Sequence, residues 1–498
     1  MAAETTASGA WIAGRIKREQ IERYLDQGKD FIPDDEIWRT INTAREPEPQ
    51  TVREILARSL AVQTLTPEDL AMLMRVRDAD MLREMQEAAL AIKKKVYDNR
   101  IVTFAPLYMG NYCVNNCAYC GFRHDNADAR RRVLSMEEVR RETESLAGRI
   151  GHKRIIAVYG EHPVTGIDYI LESMKTIYGV RVPTRHGYGN IRRINVNAAP
   201  MSIEELTRLK DGGLGTYQVF QETYHHETYA KLHPQGTLKS DYRWRLYAMH
   251  RALEAGIDDV GIGVLFGLYD WRFEVMALLY HAIALEGRMG IGPHTVSFPR
   301  LEPALNAAYA TQSPYRVSDE DFKRIILLVR LAIPYTGMII TARETASMRR
   351  EAISLGITQT DASTKIGIGS YSEERKDQQA ERQQFMLGDT RSLDELVRDF
   401  ADMGYITSFC TAGYRCGRTG KCIMELLRSG KEGKFCKLNA VLTFQEWLDD
   451  FATPGTREAG LKVLEKELGE IKKNNPQGFP AFYQFLERVR NGERDLFL

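Results

Sequence analysis

The chain has 498 residues and is 43% hydrophobic, which is enough for a packed core. Its 68 Lys and Arg residues against 67 Asp and Glu leave a net charge of +1. This balance gives no sign of a nucleic-acid partner or an anionic membrane surface. No apolar run approaches the roughly 20 residues of a membrane span. The length predicts one main domain with extensions rather than a single core.

Cysteine usage and the amino terminus indicate the compartment. The seven cysteines fall into two groups, at positions 113–120 and 410–436. Such clustering favours metal binding under reducing conditions over a disulfide framework. The first ten residues lack the apolar segment of a secretory signal. We therefore expect a cytoplasmic protein.

Residues 1–97 are predicted to form an α-helical extension. Thr66 is typical of a helix N-cap, Pro67 suits the first helical position, and acidic residues follow in the first turn. The segment from Asp78 to Lys95 has the pattern of a long, charged amphipathic helix. The extension is expected to pack outside the main core.

Residues 98–385 are predicted to form a (β/α)8 barrel, also called a TIM barrel. Short apolar strands alternate here with helical segments, which is typical of a parallel sheet with crossover helices. Chemistry in such barrels takes place at the carboxyl ends of the strands. The eight predicted strands span 101–108, 154–159, 192–198, 216–221, 258–265, 294–298, 337–342 and 356–360.

A short loop directly after the first strand carries Cys113, Cys117 and Cys120. Three neighbouring thiolates favour a soft metal centre. A cubane 4Fe–4S cluster usually takes four cysteines, so this loop would leave one iron open for a substrate or cofactor. The alternative is a zinc site with His124 as the fourth ligand. With Tyr119 before the last cysteine, the spacing is also the signature of radical S-adenosylmethionine (SAM) enzymes.

Polar residues end the second and third predicted strands. Gly160 and Glu161 follow strand two, where an exposed backbone and a carboxylate could hold an ammonium group. Asn195 and Asn197 lie two apart on strand three and share one face, which is the interior of a closed barrel. They are expected either to contact a ligand or to form a hydrogen-bonded layer, because buried amides need partners.

Further polar residues follow strands four, seven and eight. Glu222 and Tyr224 follow strand four, where Glu222 could accept hydrogen bonds from ribose hydroxyls. Arg343 ends strand seven, and a planar guanidinium suits bidentate capture of a substrate carboxylate. Asp361 and Thr364 follow strand eight and are predicted to complete an amino-acid pocket.

Residues 386–498 are predicted to form a mostly helical domain that carries the second cysteine group. A very polar stretch at 372–384 is expected to be an exposed linker or helix that leads into it. Four thiolates can saturate a zinc ion or a 4Fe–4S cluster, and a structural metal staple is the alternative to a functional centre. His294, at the start of strand six, is a further candidate metal ligand. The cysteines of this group are Cys410, Cys416, Cys422 and Cys436.

From about residue 30 to its end, the chain resembles the HydG family of radical SAM tyrosine lyases, which build the diatomic ligands of FeFe-hydrogenase. The thiamine-pathway tyrosine lyase shares the barrel and the first cluster, but it lacks the C-terminal cluster region. The resemblance is dense at 104–108, in the cysteine loop, and at 191–197, 215–225, 258–270, 292–295 and 410–415.

The resemblance implies an activity and its cofactors. Cys113, Cys117 and Cys120 would hold a 4Fe–4S cluster whose open iron binds the amine and carboxylate of SAM. A 5′-deoxyadenosyl radical would then attack tyrosine, break its Cα–Cβ bond and release p-cresol and dehydroglycine. A second cluster in the C-terminal domain would turn dehydroglycine into CO and cyanide, with His294 matching the ligand of its extra iron. Implied partners are a tyrosine-like amino acid, an electron donor such as flavodoxin or ferredoxin, and hydrogenase-maturation proteins.

This sequence departs from the family pattern in its C-terminal cysteines. The family motif, CxxC followed by a third cysteine, falls on positions 410, 413 and 436 of this chain. Cys410 and Cys436 keep their places, but Gly413 replaces the middle cysteine. Cys416 and Cys422 are candidate substitutes. Otherwise the second cluster is altered or missing.

A second departure concerns the predicted substrate pocket. The family's Ser-Ala-Gly-Ser loop reads Asp361-Ala362-Ser363-Thr364 here. A new carboxylate at Asp361 is expected to attract an amine or repel a carboxylate, while Arg343 preserves carboxylate capture. The favoured interpretation is a radical SAM lyase acting on tyrosine or a related amino acid. The alternatives are a lyase with another substrate and a purely structural C-terminal metal site, or a zinc-binding scaffold without redox chemistry.

Overall fold

The computed structural model describes residues 9, 11–373, 378–418, 420–429 and 432–498. Eight parallel strands close into a barrel, because β1 pairs with β2 on one side and with β8 on the other. The (β/α)8 prediction is therefore confirmed. The barrel strands are Arg100–Gly110 (β1), Arg154–Tyr159 (β2), Arg193–Asn197 (β3), Tyr217–Gln218 (β4), Val260–Gly263 (β5), Thr295–Ser297 (β6), Gly337–Ile340 (β7) and Gln359–Asp361 (β8).

Each barrel strand begins and ends within three residues of its predicted bounds, and β4 is shortened to two residues. After Gln218 the chain stays extended, and the amide of Gln221 donates to the carbonyl of Gly263. Glu222 forms an isolated parallel bridge with Val264, and it adopts a positive φ of 73°, a left-handed conformation that is uncommon for residues other than glycine. The irregular end of β4 thus turns the chain towards the mouth of the barrel.

Helices surround the barrel and begin with the caps that their sequences indicate. Ser135 and Ser202 each form a capping box with the glutamate three residues on, and Ser318 accepts from the amide of Asp321. The helices of this layer are Met136–Glu144, Ile167–Tyr178, Ile203–Asp211, His226–Leu232, Tyr242–Leu246, Ala248–Glu254, Trp271–Met289, Tyr309–Gln312, Asp319–Ala332 and Ala346–Ser354. A π-helical turn spans Ser145–Ile150, 3-10 turns span Pro163–Thr165 and Leu238–Ser240, and a small ribbon pairs Val182–Pro183 with Tyr188–Gly189.

The amino-terminal extension is helical, as predicted. Thr66 caps its helix with a reciprocal capping box to Asp69. The longest helix of the extension packs on the barrel helix Asp319–Ala332, and its buried Lys93 Nζ donates to the carbonyl of Ile353 at 3.0 Å. The helices of the extension are Glu19–Glu22, Asp34–Thr43, Pro49–Leu60, Pro67–Arg75 and Ala79–Tyr97.

The carboxyl-terminal region attaches to the amino end of the barrel. Its strand β9, Ile406–Ser408, pairs in parallel with the first residues of β1, Arg100 to Val102. A buried ion pair between Glu446 and Lys153 joins this region to the start of β2 at 2.7 Å. Its helices are Leu393–Asp402, Ala412–Arg415, Gly420–Arg428, Glu432–Asp450, Pro454–Asn474 and Phe479–Arg490, after a 3-10 turn at Ala380–Arg382.

Across the part of the chain that the structure describes, we find no helix with both the length and the apolar character needed to cross a membrane.

Candidate active site

A cavity of ≈ 230 Å³ opens at the carboxyl ends of the barrel strands. This is the end where (β/α)8 enzymes carry their chemistry. The cavity brings together the cysteine loop after β1 and polar residues at or near the ends of six other strands. The predicted site residues that line it are Cys113, Cys117, Cys120, Gly160, Glu161, Asn197, Glu222, Arg343, Asp361 and Thr364.

Hydrogen bonds from β2 and the loop itself fix the cysteine loop over the cavity. The Glu161 carbonyl accepts from the amide of Val114 at 2.9 Å. The Glu161 carboxylate accepts from the Asn115 side-chain amide at 2.5 Å, and that same amide lies 3.7 Å from the sulfur of Cys113. Glu161, predicted as a ligand for an ammonium group, therefore also positions the loop.

The three thiols lie in a water-poor environment. Burial raises the pKa of Cys117 to about 11 and raises the pKa of Cys113 and Cys120 as well. A bound metal centre reverses this preference, because coordination deprotonates a thiol outright. The side-chain amide of Gln384 donates to the Cys120 sulfur at 3.5 Å, and hydrogen bonds to sulfur tune the potential of an iron–sulfur cluster. This donor set suits a cluster held by three cysteines.

The cysteine side chains are not arranged around a single metal ion. Among the described residues, no group of three or more His, Cys, Asp or Glu side chains converges closely enough to hold a single metal ion. Zinc–thiolate bonds of about 2.3 Å would require such convergence. The exposed ring of His124 faces the carbonyl oxygen of Cys113 at 3.3 Å rather than the sulfurs. Three sulfurs around a larger cubane do not need to meet at one point.

Gly160 brings the backbone of β2 close to the cysteine loop. A Cβ atom at this position would lie only 2.1 Å from the carbonyl oxygen of Tyr112. Any side chain would therefore push the loop outwards, so glycine is required for this close approach. Gly160 also lines the cavity, where its backbone is accessible to a ligand.

Glu222 carries the negative charge of the opposite wall. Its carboxylate accepts from Lys239 Nζ at 2.7 Å and lies 3.4 Å from Arg245. Burial alone would raise the pKa of Glu222, but these two cations hold that pKa below its usual range. Its left-handed backbone, with φ of 73°, is a strained conformation of the kind found at functional sites.

Arg343 enters the cavity from the end of β7. Its guanidinium carbon lies 3.2 Å from the centroid of the Phe385 ring, and a stacked guanidinium keeps its edge available for a bidentate partner. Burial lowers the pKa of Arg343, yet arginine keeps its charge in proteins. The residue is therefore a fixed cation at the cavity wall.

Asp361 is held in place by its neighbours. One carboxylate oxygen accepts from the amide of Ala342 at 2.8 Å and the other from the hydroxyl of Thr364 at 2.8 Å. Arg349 on the following helix lies 3.6 Å away. Burial raises the pKa of Asp361, while Arg349 and these hydrogen bonds act in the opposite direction. The carboxylate of Asp361, which replaces the serine of the family pattern, thus has most of its hydrogen-bonding capacity filled by the protein itself.

Three predicted cofactor-binding residues lie outside the cavity lining. The hydroxyl of Tyr119 hydrogen-bonds to His233 at 2.8 Å within a small apolar cluster beside Cys117. The carbonyl oxygen of the Asn195 side chain accepts from the amide of Thr216 at 3.1 Å. The hydroxyl of Tyr224 hydrogen-bonds to His281 on a barrel helix at 2.7 Å. The structure places these three side chains in the surrounding framework rather than around a ligand.

Sequence reasoning missed several residues that shape the cavity: Asn115, Lys239, Arg245, Gln384 and Phe385. Gln384 ends the polar stretch 372–384, which the sequence predicts to be exposed, and Phe385 follows it. Part of that stretch, 374–377, lies outside the described residues. The remainder disagrees with the prediction, because the Gln384 carbonyl accepts from the amide of Gly121 and Gln383 is buried. A single aromatic residue after a run of polar residues was the only signal of this return to the core.

A second, smaller pocket lies at the amino end of the barrel. Cys410, Gly413 and Cys436 line it together with Arg100 at the start of β1 and Ser408 on β9. The structure thus brings together the three positions of the family motif, including the one that holds glycine. Cys410 has a positive φ of 48°.

Cys416 and Cys422 are exposed and are not part of the lining of that pocket. The thiol of Cys416 donates to the carbonyl of Leu498 at 3.7 Å. The structure therefore does not assemble the predicted four-thiolate site.

His294 also lies near the amino end of the barrel, before β6. Its ring centroid is 6.4 Å from that of Tyr414. Its buried Nδ1 atom has no hydrogen-bond partner among the described residues. His294 does not line the pocket of Cys410 and Cys436, so the structure places it near that pocket but not within it.

Comparison with known proteins agrees with this architecture. The model of the radical SAM superfamily matches residues 107–279, and that of the biotin and thiamin synthesis associated domain matches residues 297–406. The chain is 31% identical over 350 residues to the 2-iminoacetate synthase of Salmonella typhimurium, covering 70% of this chain and 87% of that relative. It is 28% identical over 218 residues to the FeFe-hydrogenase maturase subunit HydE of Thermotoga maritima, covering 44% of this chain and 58% of that relative.

Two solved structures match nearly the whole chain. A crystal structure of HydG, a maturase of the FeFe-hydrogenase, has a TM-score of 0.88 and 46% identity, covering 94% of this chain and 100% of that chain. The X-ray structure of HydG from Carboxydothermus hydrogenoformans has a TM-score of 0.74 and 35% identity, covering 96% and 100%. The chain therefore belongs to the radical SAM superfamily and, within it, to the family that contains 2-iminoacetate synthase and HydG.

Proposed function

We propose that this protein is a radical SAM carbon–carbon lyase that cleaves the Cα–Cβ bond of tyrosine. The observation that carries this proposal is the shared cavity. The three-cysteine loop and the cationic Arg343 line one cavity at the carboxyl ends of the barrel strands. One site can thus hold both a cofactor that generates a radical and the amino acid that the radical attacks.

The chain's own residues suit both ligands. A 4Fe–4S cluster on Cys113, Cys117 and Cys120, together with SAM, supplies a 5′-deoxyadenosyl radical when bound. Gly160 and Glu161 would bind the amino-acid end of SAM, because they offer a bare backbone and a carboxylate beside the cysteine loop. The rest of the cofactor would be held by Asn197 on β3 and by Glu222 after β4, together with the neighbouring cations Lys239 and Arg245.

Arg343 would bind the carboxylate of the amino-acid substrate. Its guanidinium is fixed against Phe385 and presents the fork geometry that carboxylates prefer. Asp361 lies in the same wall, but its oxygens accept from Ala342 and Thr364 and it faces Arg349. This internal pairing weakens the expected repulsion of a substrate carboxylate, which supports tyrosine as the substrate.

The proposed partners follow from this chemistry. Reductive cleavage of SAM needs an external one-electron donor, for which a flavodoxin or ferredoxin is suitable. A role in hydrogenase maturation is proposed by analogy with the two HydG structures, which are maturases of the FeFe-hydrogenase. The predicted second cluster stays outside this proposal, because the residues of the amino-end pocket differ from the family pattern.

The test is anaerobic turnover of the reconstituted protein with SAM, a strong reductant and tyrosine. We expect p-cresol and 5′-deoxyadenosine in equal amounts. Formation of 5′-deoxyadenosine without p-cresol would refute tyrosine as the substrate while leaving the radical chemistry in place. The alternative is a lyase that acts on another substrate. A parallel assay with other aromatic amino acids tests it, because it predicts that one of them supports faster 5′-deoxyadenosine formation than tyrosine does.

A further inference from the structure

The amino-end pocket is where the family places a second iron–sulfur cluster, so its side chains decide whether this chain can hold one. A cubane cluster takes cysteine thiolates as ligands, usually four. Cys410 and Cys436 are the two cysteines that line the pocket. The third position of the motif, Gly413, contributes no side chain.

No other cysteine of the chain supplies the missing thiol. Three of the seven cysteines line the active-site cavity at the opposite end of the barrel. Cys416 and Cys422 are exposed and lie outside the lining of the amino-end pocket. The donor set of two thiols therefore does not fit a protein-bound cubane.

The glycine is not required by the backbone. Gly413 is not among the glycines with positive φ. A Cβ atom built on it would meet its nearest neighbour, the carbonyl oxygen of Arg418, at an ordinary contact distance of 3.8 Å. A cysteine would fit at this position. The absence of the thiol therefore changes which metal ligands the pocket offers, and it is not required by the backbone conformation.

We infer that this chain holds a single iron–sulfur cluster and releases the two-carbon imine product intact. This inference rests on the proposed tyrosine lyase activity and adds the fate of its product. Dehydroglycine, HN=CH–COO⁻, would leave the barrel and meet water. Hydrolysis, HN=CH–COO⁻ + H₂O + H⁺ → OHC–COO⁻ + NH₄⁺, is redox-neutral and gives glyoxylate and ammonium. An enzyme that uses the product must therefore add a nucleophile to the imine carbon before water does.

Iron analysis of the anaerobically reconstituted full-length protein tests the pocket, whether or not tyrosine is turned over. We expect about four irons per chain, as one cubane requires. About eight irons per chain, or two distinct cluster signals in electron paramagnetic resonance of the reduced protein, would overturn the inference. Failure of the proposed lyase activity would instead appear as absence of p-cresol at an unchanged iron content.

Product analysis with tyrosine tests the fate of the imine. We expect one glyoxylate, trapped as its hydrazone, for each p-cresol. Carbon monoxide captured by deoxyhaemoglobin, or free cyanide, at more than trace amounts relative to p-cresol would contradict the inference.

The variant Gly413→Cys tests whether the missing thiol is the cause. It restores three thiols to the pocket, and we expect iron content to rise up to about twofold, with a second cluster signal. The matched control is Gly469→Cys, which adds one thiol at an exposed position of a helix. A Cβ atom built on Gly469 has no neighbouring heavy atom within 4 Å. Equal iron content in the two variants would show that Gly413 does not determine cluster binding and would overturn this assignment.

Discussion

The two ends of the barrel carry the same kinds of residues but combine them differently. At the carboxyl end, three cysteines from one short loop share a cavity with carboxylates, amides and a fixed arginine. At the amino end, two cysteines from separate elements share a pocket with a glycine where the family has a third cysteine. The family architecture is kept at both ends, but the complete ligand set is kept only at the carboxyl end.

The difference also extends to what holds each end together. The carboxyl end is tied by hydrogen bonds between loops that directly touch the cavity, such as Asn115 to Glu161 and Gln384 to Cys120. The amino end is tied by buried ion pairs, such as that of Glu446 with Lys153 and Arg192. Substitutions at the carboxyl end should therefore mainly lower catalytic activity, whereas those at the amino end should mainly lower the free energy of unfolding.

The largest expected effect is at the cysteine loop. Replacing Cys117 by serine removes a buried cluster ligand, so SAM cleavage should fall by more than about 100-fold, since loss of outer-shell partners alone costs 10–100-fold. Rates of 5′-deoxyadenosine formation and iron content measure this loss. The control is Cys422→Ser, an exposed cysteine whose replacement should leave both unchanged. Retention of SAM cleavage in Cys117→Ser would place the radical chemistry elsewhere.

The next effect concerns stability at the amino end. Burial alone would raise the pKa of Glu446, but Lys153 and Arg192 hold it well below its usual range. Removing one partner of a buried pair leaves an uncompensated charge, so Glu446→Gln should lower the free energy of unfolding by about 3 kcal/mol. Urea unfolding at neutral pH measures the loss. Glu458→Gln, which breaks an exposed pair with Lys462, should have no measurable effect.

The same carboxylate predicts a pH dependence. Because its folded pKa is depressed, its contribution to stability is fully present above the unfolded glutamate pKa of about 4.3 and is lost as the pH falls below that value. The stability difference between wild type and Glu446→Gln should therefore shrink in acid. A constant difference from pH 7 to pH 3 would show that packing, rather than charge, accounts for the loss.

Local patterns in the sequence predicted the barrel and the centre of its active site. Cys113, Cys117 and Cys120 lie within eight residues, so their spacing alone brings them together. Arg343 and Asp361 follow strands, and the fold places all strand ends at one mouth. Gln384 was missed because it reaches Cys120 across 264 residues of sequence. The exposed positions of Cys416 and Cys422 depend on the packing of short helices, which spacing does not reveal.

A smaller effect is expected at the substrate side of the cavity. Arg343→Gln removes charged hydrogen bonds worth about 1.5–3 kcal/mol, so KM for tyrosine should rise by about 10-fold to 100-fold. Arg343→Lys keeps the positive charge but cannot form two parallel hydrogen bonds to a carboxylate. Its KM for tyrosine should therefore lie between those of the wild type and Arg343→Gln. Steady-state p-cresol formation measures both. The control is Arg350→Gln, which alters a half-exposed pair with Asp399 outside the cavity lining. An unchanged KM in Arg343→Gln would exclude this residue as the carboxylate ligand.

The smallest effect is expected for the cysteines of the amino-end pocket. The two pockets share no lining residue among those described, and a pocket without a cluster has no part in cleaving tyrosine. Cys410→Ser, alone or with Cys436→Ser, should therefore change p-cresol formation by less than about twofold, which corresponds to under about 0.5 kcal/mol of activation free energy. The measurement is kcat/KM for tyrosine beside the iron content of each variant. A loss of activity as deep as that of Cys117→Ser would mean that the two ends act as one catalytic unit, because serine preserves the size of the side chain and removes only its capacity to bind iron.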